Sequence, residues 1–197
     1  MAKGSLFIIS GPSGTGKGTV CNELIKHENI FLSISATTRE RRLGEQEGVT
    51  YFYTTKEQFE DMIKKDMMLE YAQYSGNYYG TPKEAVEKML NAGKNVILEI
   101  EAQGALKVKE KMPEAIMIFI VPPSIKELRK RLSNRGREDA EEIEKRINAA
   151  KWEFSQCPKY NYVLVNDNLE NCVKNTLDII KKANERQQII EKLLSEI

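Results

Sequence analysis

The sequence predicts an α/β protein: a parallel β-sheet core covered by helices, with a phosphate-binding P-loop at the end of its first strand. Three observations predict it. Short, continuous apolar runs at Leu6–Ser10, Val96–Ile100, Ala115–Val121 and Tyr162–Val165 have the length of buried strands. Helical patterns lie between them, as in a parallel sheet covered on both faces. The first run leads directly into Gly11-Pro12-Ser13-Gly14-Thr15-Gly16-Lys17-Gly18-Thr19, which opens a helical pattern carrying Val20, Cys21, Leu24 and Ile25.

Strand, glycine-rich turn, lysine and helix, in that order, are the context a phosphate cradle requires. Glycines allow positive φ, so successive backbone N–H groups can turn inward around a polyphosphate. The helix N-terminus adds partial positive charge and Lys17 adds a full one, directed at β- and γ-phosphates. The common form of the motif places Ser or Thr after the lysine, where its hydroxyl binds Mg2+. Gly18 occupies that position, and Thr19 comes one residue later. A Mg2+ ion must then rest on phosphate oxygens and water, with Thr19 the candidate hydroxyl that the motif itself supplies. This points towards small nucleotide kinases and away from signalling GTPases.

The remaining elements follow in order. Pro82 suits N1 of a helix ending near Asn91, with Gly93 just beyond it. Ser124-Ile125-Lys126-Glu127 reads as a capping box before a stripe of Leu128 and Leu132. A charged helix runs from Asp139 to about Phe154, and a last one starts near Asn168 with Leu169, Val173, Leu177 and Ile180 on one side. Right-handed crossovers place the ligand at the carboxyl ends of the strands. Between about Ile34 and Pro82 the pattern changes to tyrosines, threonines and alternating residues (Val49, Tyr51, Tyr53). A second capping box, Thr55 to Gln58, precedes Phe59, Met62 and Ile63. This segment reads as an α+β insertion into the core.

Composition narrows the partners. Thirty basic and 29 acidic residues leave a net charge of +1, so nothing in the overall balance attracts nucleic acid or an anionic membrane. No segment approaches the ~20 apolar residues of a membrane span, and the opening residues lack the apolar run of a signal peptide. The three cysteines, Cys21, Cys157 and Cys172, have no paired or zinc-type spacing and imply reduced thiols in a cytoplasmic protein. The single histidine, His27, lies in a polar stretch and reads as a solvated helix-end residue. Nothing in the pattern decides the oligomeric state.

The insertion concentrates polar chemistry. Arg39, Arg41 and Arg42 are followed by Gly44, Glu45, Gly48 and Tyr51, then Glu70-Tyr71-Ala72 and Tyr79-Gly80-Thr81. Arginine forks match phosphate geometry, although a basic turn alone is as readily a solvated surface. With these neighbours the chain closely resembles the guanylate kinase family of ATP:GMP phosphotransferases. The matching segments are Gly11–Thr19, Ser35–Arg39 with Arg42, Glu45 and Tyr51, Glu70–Ala72, Tyr79–Thr81, Leu98–Gly104, Pro122–Ser124, Arg135-Gly136 through Arg146, and Val165–Asp167. They run in family order over nearly the whole chain.

The resemblance implies a division of labour. Ser35, Arg39, Arg42, Tyr51 and Tyr79 would hold the GMP phosphate, with Glu45 in the same set. Glu70 and Thr81 would read guanine, with Glu101 beside them. Lys17, Arg135 and Arg146 would neutralise the transferring phosphoryl group, with Arg39 on the acceptor side. Gly11, Pro12, Ser13, Gly14, Thr15, Gly16, Gly18 and Thr19 would cradle ATP, with Arg131, Asn166 and Asp167 as further ATP contacts. It also implies a P-loop core (1–33, 83–124 and 151–197), a GMP-binding insertion (34–82), a helical lid (125–150), and Mg2+ with ATP as donor, with Glu99 a further candidate beside the metal. GMP is the expected acceptor, and nothing excludes dGMP.

Physical chemistry agrees with these roles. Guanine offers two N–H donors on one edge, which a carboxylate accepts together. Adenine would set a lone pair against Glu70, and a site of this kind rejects the wrong base by about 10⁴-fold. The acceptor phosphate is largely dianionic at neutral pH, so it needs no general base. The task is to align and neutralise two anions. Three rival readings fit the residues less well. A kinase for another monophosphate is disfavoured by Glu70 with Thr81. A peptide-binding relative that has lost the phosphate loop is disfavoured by the intact loop. A GTPase is disfavoured by Gly18 and by the lack of an Asn-Lys-x-Asp motif.

Overall fold

A computed structural model describes residues 3–74, 76–134 and 140–196. Its first sheet has five strands, all parallel: β1 (Leu6–Ser10), β2 (Ile30–Leu32), β7 (Asn95–Glu99), β8 (Ile116–Val121) and β9 (Tyr162–Val165). Their order is β2-β7-β1-β8-β9. Neighbours joined in parallel need a crossover, and helices α1 (Lys17–Leu24), α4 (Ala102–Lys111), α5 (Ile125–Ser133) and α6 (Ala140–Ser155) lie on connections, while α7 (Leu169–Ser195) follows the last strand. One face buries Ile8, Leu98, Met117 and Phe119 against α3 (Lys83–Asn91) and α4. The other buries Phe7, Ile9, Ile97 and Ile118 against α1 and α7. This two-sided burial explains why β1, β7 and β8 read as unbroken apolar runs.

Two expectations need correction. Tyr162–Val165 is a strand but not a buried one: as the outermost strand of its sheet it leaves Tyr162, Val163 and Val165 exposed, and Leu164 alone joins the core. Ile25 likewise leaves the apolar face of α1 and is exposed. The fifth parallel strand, β2, is three residues long and half-buried, too short for periodicity to announce it. Pro82 sits at the N-cap of α3, one position before N1.

A second sheet of four strands holds β3 (Ala36–Thr37), β4 (Phe52–Tyr53), β5 (Met68–Tyr74) and β6 (Asn77–Pro82), in the order β4-β3-β6-β5. Helix α2 (Lys56–Lys64) covers it. The predicted capping box is complete: Gln58 N donates to Thr55 Oγ1 at 3.2 Å, and Thr55 N donates to Gln58 Oε1 at 3.1 Å. Phe59 then packs with Ala36 and Met68 in a small local core and stacks on Tyr78 with ring centroids 5.2 Å apart. Only half of the box predicted at Ser124 forms. Ser124 Oγ accepts from Glu127 N, while the Glu127 carboxylate accepts from Arg131 Nε instead.

Helix α4 joins the two sheets. It follows β7 of the first and packs along β5 of the second. There Lys107 Nζ donates to Tyr71 O at 3.2 Å, and Lys111 Nζ to Met68 O at 2.9 Å.

Candidate active site

The carboxyl ends of the parallel strands converge on one edge of the sheet. Residue 11 follows β1, residue 100 follows β7, residue 122 follows β8 and residue 166 follows β9. Here β1 lies between β7 and β8, so the P-loop emerges where crossovers diverge to the two sides, the ordinary place for a ligand crevice.

The loop is shaped by contacts that leave no room for side chains. A Cβ on Gly11 (φ 139°) would lie 2.2 Å from Ile120 O, and one on Gly16 (φ 89°) would lie 2.4 Å from Asn166 Nδ2. Gly14 (φ 87°) backs onto Leu128 and Leu132 of α5. Thr15, fully buried, donates from Oγ1 to Pro12 O at 2.9 Å, and Asn166 Nδ2 donates to Thr15 O at 2.8 Å. Asn166 thus shapes the loop from outside, while Asp167 beside it is exposed. Gly16 caps α1 in the left-handed conformation, and no acidic residue occupies the helix's first turn. No carboxylate of α1 itself therefore competes with an anion for the N–H groups of its first turn.

Lys17 Nζ donates to the carbonyl oxygens of Gly11 and, at 3.0 Å, of Pro12. Burial lowers its pKa, and the carboxylates of Glu99, Glu153 and Glu101, in that order, push it back up. Burial in turn raises the pKa of Glu99, against the pull of Lys17. A cavity of about 380 Å3 opens over this group, lined by Ser13, Gly14, Gly16–Thr19 and residues 99–101. Arg146 of α6 reaches it from the far side, donating from Nη1 to Ser13 Oγ at 2.8 Å. Arg131 pairs with Glu127 within α5. Arg135 lies outside the described residues.

A second cavity of about 380 Å3 shares residues 99–101 with the first and includes Ser35, Tyr51, Glu70, Tyr79 and Gly104 in its lining. Thr81 Oγ1 donates to Glu70 Oε1 at 2.7 Å. Glu70 is 7% exposed, and burial raises its pKa against the hydrogen bond from Thr81. Beside this cavity Arg39 pairs with Glu45 at 2.7 Å and stands 5.6 Å from the centroid of the Tyr51 ring. Tyr51 in turn meets Tyr79 edge-on at 6.0 Å. Glu45 also accepts from Arg42 N and Tyr53 OH, both at 2.8 Å. These partners, Arg39 first, lower its pKa to about 2. The Arg42 side chain itself is exposed.

Three residues without an assigned role enter the site. Glu153, two turns after Arg146 on α6, sends its charge towards Lys17 and Glu101. Burial raises its pKa, partly offset by Lys17 and by the Ala102 N–H. A seven-residue spacing from Arg146 in a helical pattern was the available signal. Tyr53, read above as one of the alternating residues, holds Glu45. Gly104, within the matching segment Leu98–Gly104, lies against Glu70.

A P-loop α/β core with a buried lysine at the donor cavity, and an adjoining cavity with arginine and carboxylate, defines a nucleotide-dependent phosphotransferase of the monophosphate kinase type. Comparison with known proteins narrows the class. The guanylate kinase family model matches residues 3–183. Guanylate kinase from Clostridium perfringens (strain 13 / Type A) is 56% identical over 87% of this chain and 80% of its own. That from Halalkalibacterium halodurans is 52% identical over 96% and 94%. The crystal structure of guanylate kinase from Anaplasma phagocytophilum superposes with a TM-score of 0.73 at 34% identity, covering 92% of this chain and 86% of that one. The chain belongs to the guanylate kinase family.

Proposed function

We propose how this chain performs the reaction of its family, the ATP-dependent phosphorylation of GMP to GDP. The observation that carries the reading is that residues 99–101 line both cavities, so a donor site and an acceptor site adjoin, as direct transfer between them requires. ATP takes the P-loop side: backbone N–H groups of residues 13–19 at the N-terminus of α1 face its phosphates, and Lys17 bridges towards the γ-phosphoryl. GMP takes the other side. Its guanine N–H donors meet Glu70, which Thr81 orients, and its phosphate meets Arg39, Ser35, Tyr51 and Tyr79, with Arg42 at the rim. Glu45 aims Arg39 through the ion pair at 2.7 Å.

The acceptor oxygen is already anionic, so no side chain needs to remove a proton. Catalysis consists of alignment and charge neutralisation by Lys17, Arg39 and Arg146, with Arg135 as a further candidate. Segment 125–150 acts as a lid that brings the arginine side in and keeps water out. Segment 34–82 is the acceptor unit, and the rest is the core. Helix α6 runs through the boundary at 150, so a lid movement would be felt at Glu153.

Mg2+ fits this site through phosphate and water. Among the described residues no group of three or more His, Cys, Asp and Glu could hold a metal alone. Position 18 carries no hydroxyl, and a Cβ there would stand 3.4 Å from Glu99 Oε1, so a carboxylate faces that gap. Glu99 and Thr19 would hold the hydrated ion, which with ATP supplies further neutralisation of phosphate charge. Cys21, Cys157 and Cys172 are all free, which suits a reducing compartment such as the cytoplasm.

A coupled assay of ADP release with GMP, AMP, UMP and dGMP as acceptors tests the reading. GMP should exceed AMP and UMP by orders of magnitude. Equal rates with AMP or UMP would overturn it, and the dGMP arm measures the tolerance at the sugar.

A further inference from the structure

Helix α4 contains a glycine that no backbone requirement explains. Gly104 lies in the first turn of α4, with a φ outside the left-handed region, and is buried. Glycine is a poor helix former next to alanine, so an interior glycine with an ordinary helical backbone marks a close approach. The approach is to Glu70: a Cβ on residue 104 would stand 2.9 Å from Glu70 Oε2, 3.3 Å from Cδ and 3.4 Å from Cγ. All three atoms belong to one side chain, and the closest is its free end. The opposite oxygen, Oε1, is held at 2.7 Å by Thr81 Oγ1. The carboxylate is therefore pinned from both sides, by a hydrogen bond on β6 and by the bare backbone of α4.

We infer that Gly104 is a specificity-determining positioning residue: the missing side chain at 104 lets the Glu70 carboxylate lie flat against α4, in the orientation that accepts two N–H donors of guanine. The inference rests on the reading of Glu70 as the guanine acceptor. A methyl group at 104 cannot coexist with Oε2 at 2.9 Å, since real Cβ atoms do not approach that closely. The backbone of α4 is fixed by its packing on β5, so the flexible carboxylate gives way. It rotates off the base edge and strains its bond to Thr81. The helix gains a better former at the same time. Stability and base selection therefore respond in opposite directions, which a general packing defect would not produce.

The test compares Gly104→Ala, Glu70→Gln and the double variant, reading kcat/KM for GMP and AMP together with the melting temperature. We expect Gly104→Ala to lower the GMP-over-AMP ratio at least ~10-fold, since a buried acceptor is misaligned with its donors. Its melting temperature should be unchanged or higher. In the Glu70→Gln background the same alanine should have little further effect on the ratio, because it acts through residue 70. An unchanged ratio in Gly104→Ala beside a lowered one in Glu70→Gln overturns the inference and leaves Glu70 as the reader. An unchanged ratio in Glu70→Gln overturns the reading itself, and the inference with it. Equal losses with GMP and AMP in Gly104→Ala mean that the methyl fills the cavity without redirecting Glu70, and overturn the inference. If Gly104→Ala fails to fold, relief by Glu70→Asp, whose carboxylate is a methylene shorter, supports the steric relation. Absence of relief overturns it.

Discussion

Arg146 on α6 donates from Nη1 to Ser13 Oγ in the P-loop at 2.8 Å, across 133 residues of sequence. The charge it brings to the P-loop comes from a helix that meets the sheet near its far end, where Phe154 packs edge-on against Phe119 of β8. Arg146 also stands 3.7 Å from Glu142 one turn earlier, which orients it along the helix.

Arg146→Ala should therefore lower kcat by ~10²-fold or more, the usual cost of removing one preorganised charge donor. The melting temperature should change little, because the side chain lies at the edge of the fold. Arg146→Lys should recover only part of the loss, since an ammonium lacks the planar fork. Steady-state kinetics at saturating ATP and GMP measure both.

Lys17 is the second charge. Its burial beside Glu99 and Glu153 lowers its pKa, yet those carboxylates keep a counter-charge in reach. Lys17→Ala should cost at least ~10²-fold in kcat with the protein still folded. An unchanged kcat, with folding checked by circular dichroism, would contradict the role given to it.

The Arg39–Glu45 pair carries a pH signature. The folded pKa of Glu45, about 2, lies below the ordinary value of 4.5. A depressed carboxylate stabilises the fold above the unfolded pKa and loses that contribution as pH falls through the folded one. The melting temperature of the native chain should exceed that of Glu45→Gln at neutral pH. The gap should close between about pH 4.5 and pH 2. Thermal melts across that range read it directly.

Gly11 should tolerate no side chain. With φ at 139° and a Cβ position 2.2 Å from Ile120 O, Gly11→Ala forces apart the ends of β1 and β8. The expected loss of stability is at least ~2 kcal/mol, from backbone strain and overpacking together. Urea unfolding should show it as a lower midpoint.

The sequence spoke clearly where one local rule decides the outcome. β1, β7 and β8 are buried on both faces, so their apolar runs are unbroken. Thr55 and Gln58 are neighbours in a capping box that closes as read. It spoke less clearly where distant segments meet. β9 is apolar like its neighbours, and only its place at the sheet edge turns Val163 and Val165 outward. Glu153 is one acid among many until α6 carries it to Lys17 and the start of α4. Gly104 looks like a weak helix residue until Glu70, 34 positions earlier, lies 2.9 Å from its missing Cβ. Arg39 and Arg42 look alike in sequence, yet one is half-buried in an ion pair and the other lies exposed.

The stretch Glu99, Ile100 and Glu101, common to both cavities, also bears on ligand design. Two cavities that share three residues of wall are close enough for one molecule to occupy both. A compound joining an adenosine to a guanosine through an oligophosphate tether pays its translational entropy once. Its second half then binds at a local concentration set by the tether, in the millimolar range for short flexible linkers. Such a compound gains avidity without any new contact. Its affinity should peak at the tether length that matches the span between the two sites, and a series of lengths would measure that span in solution.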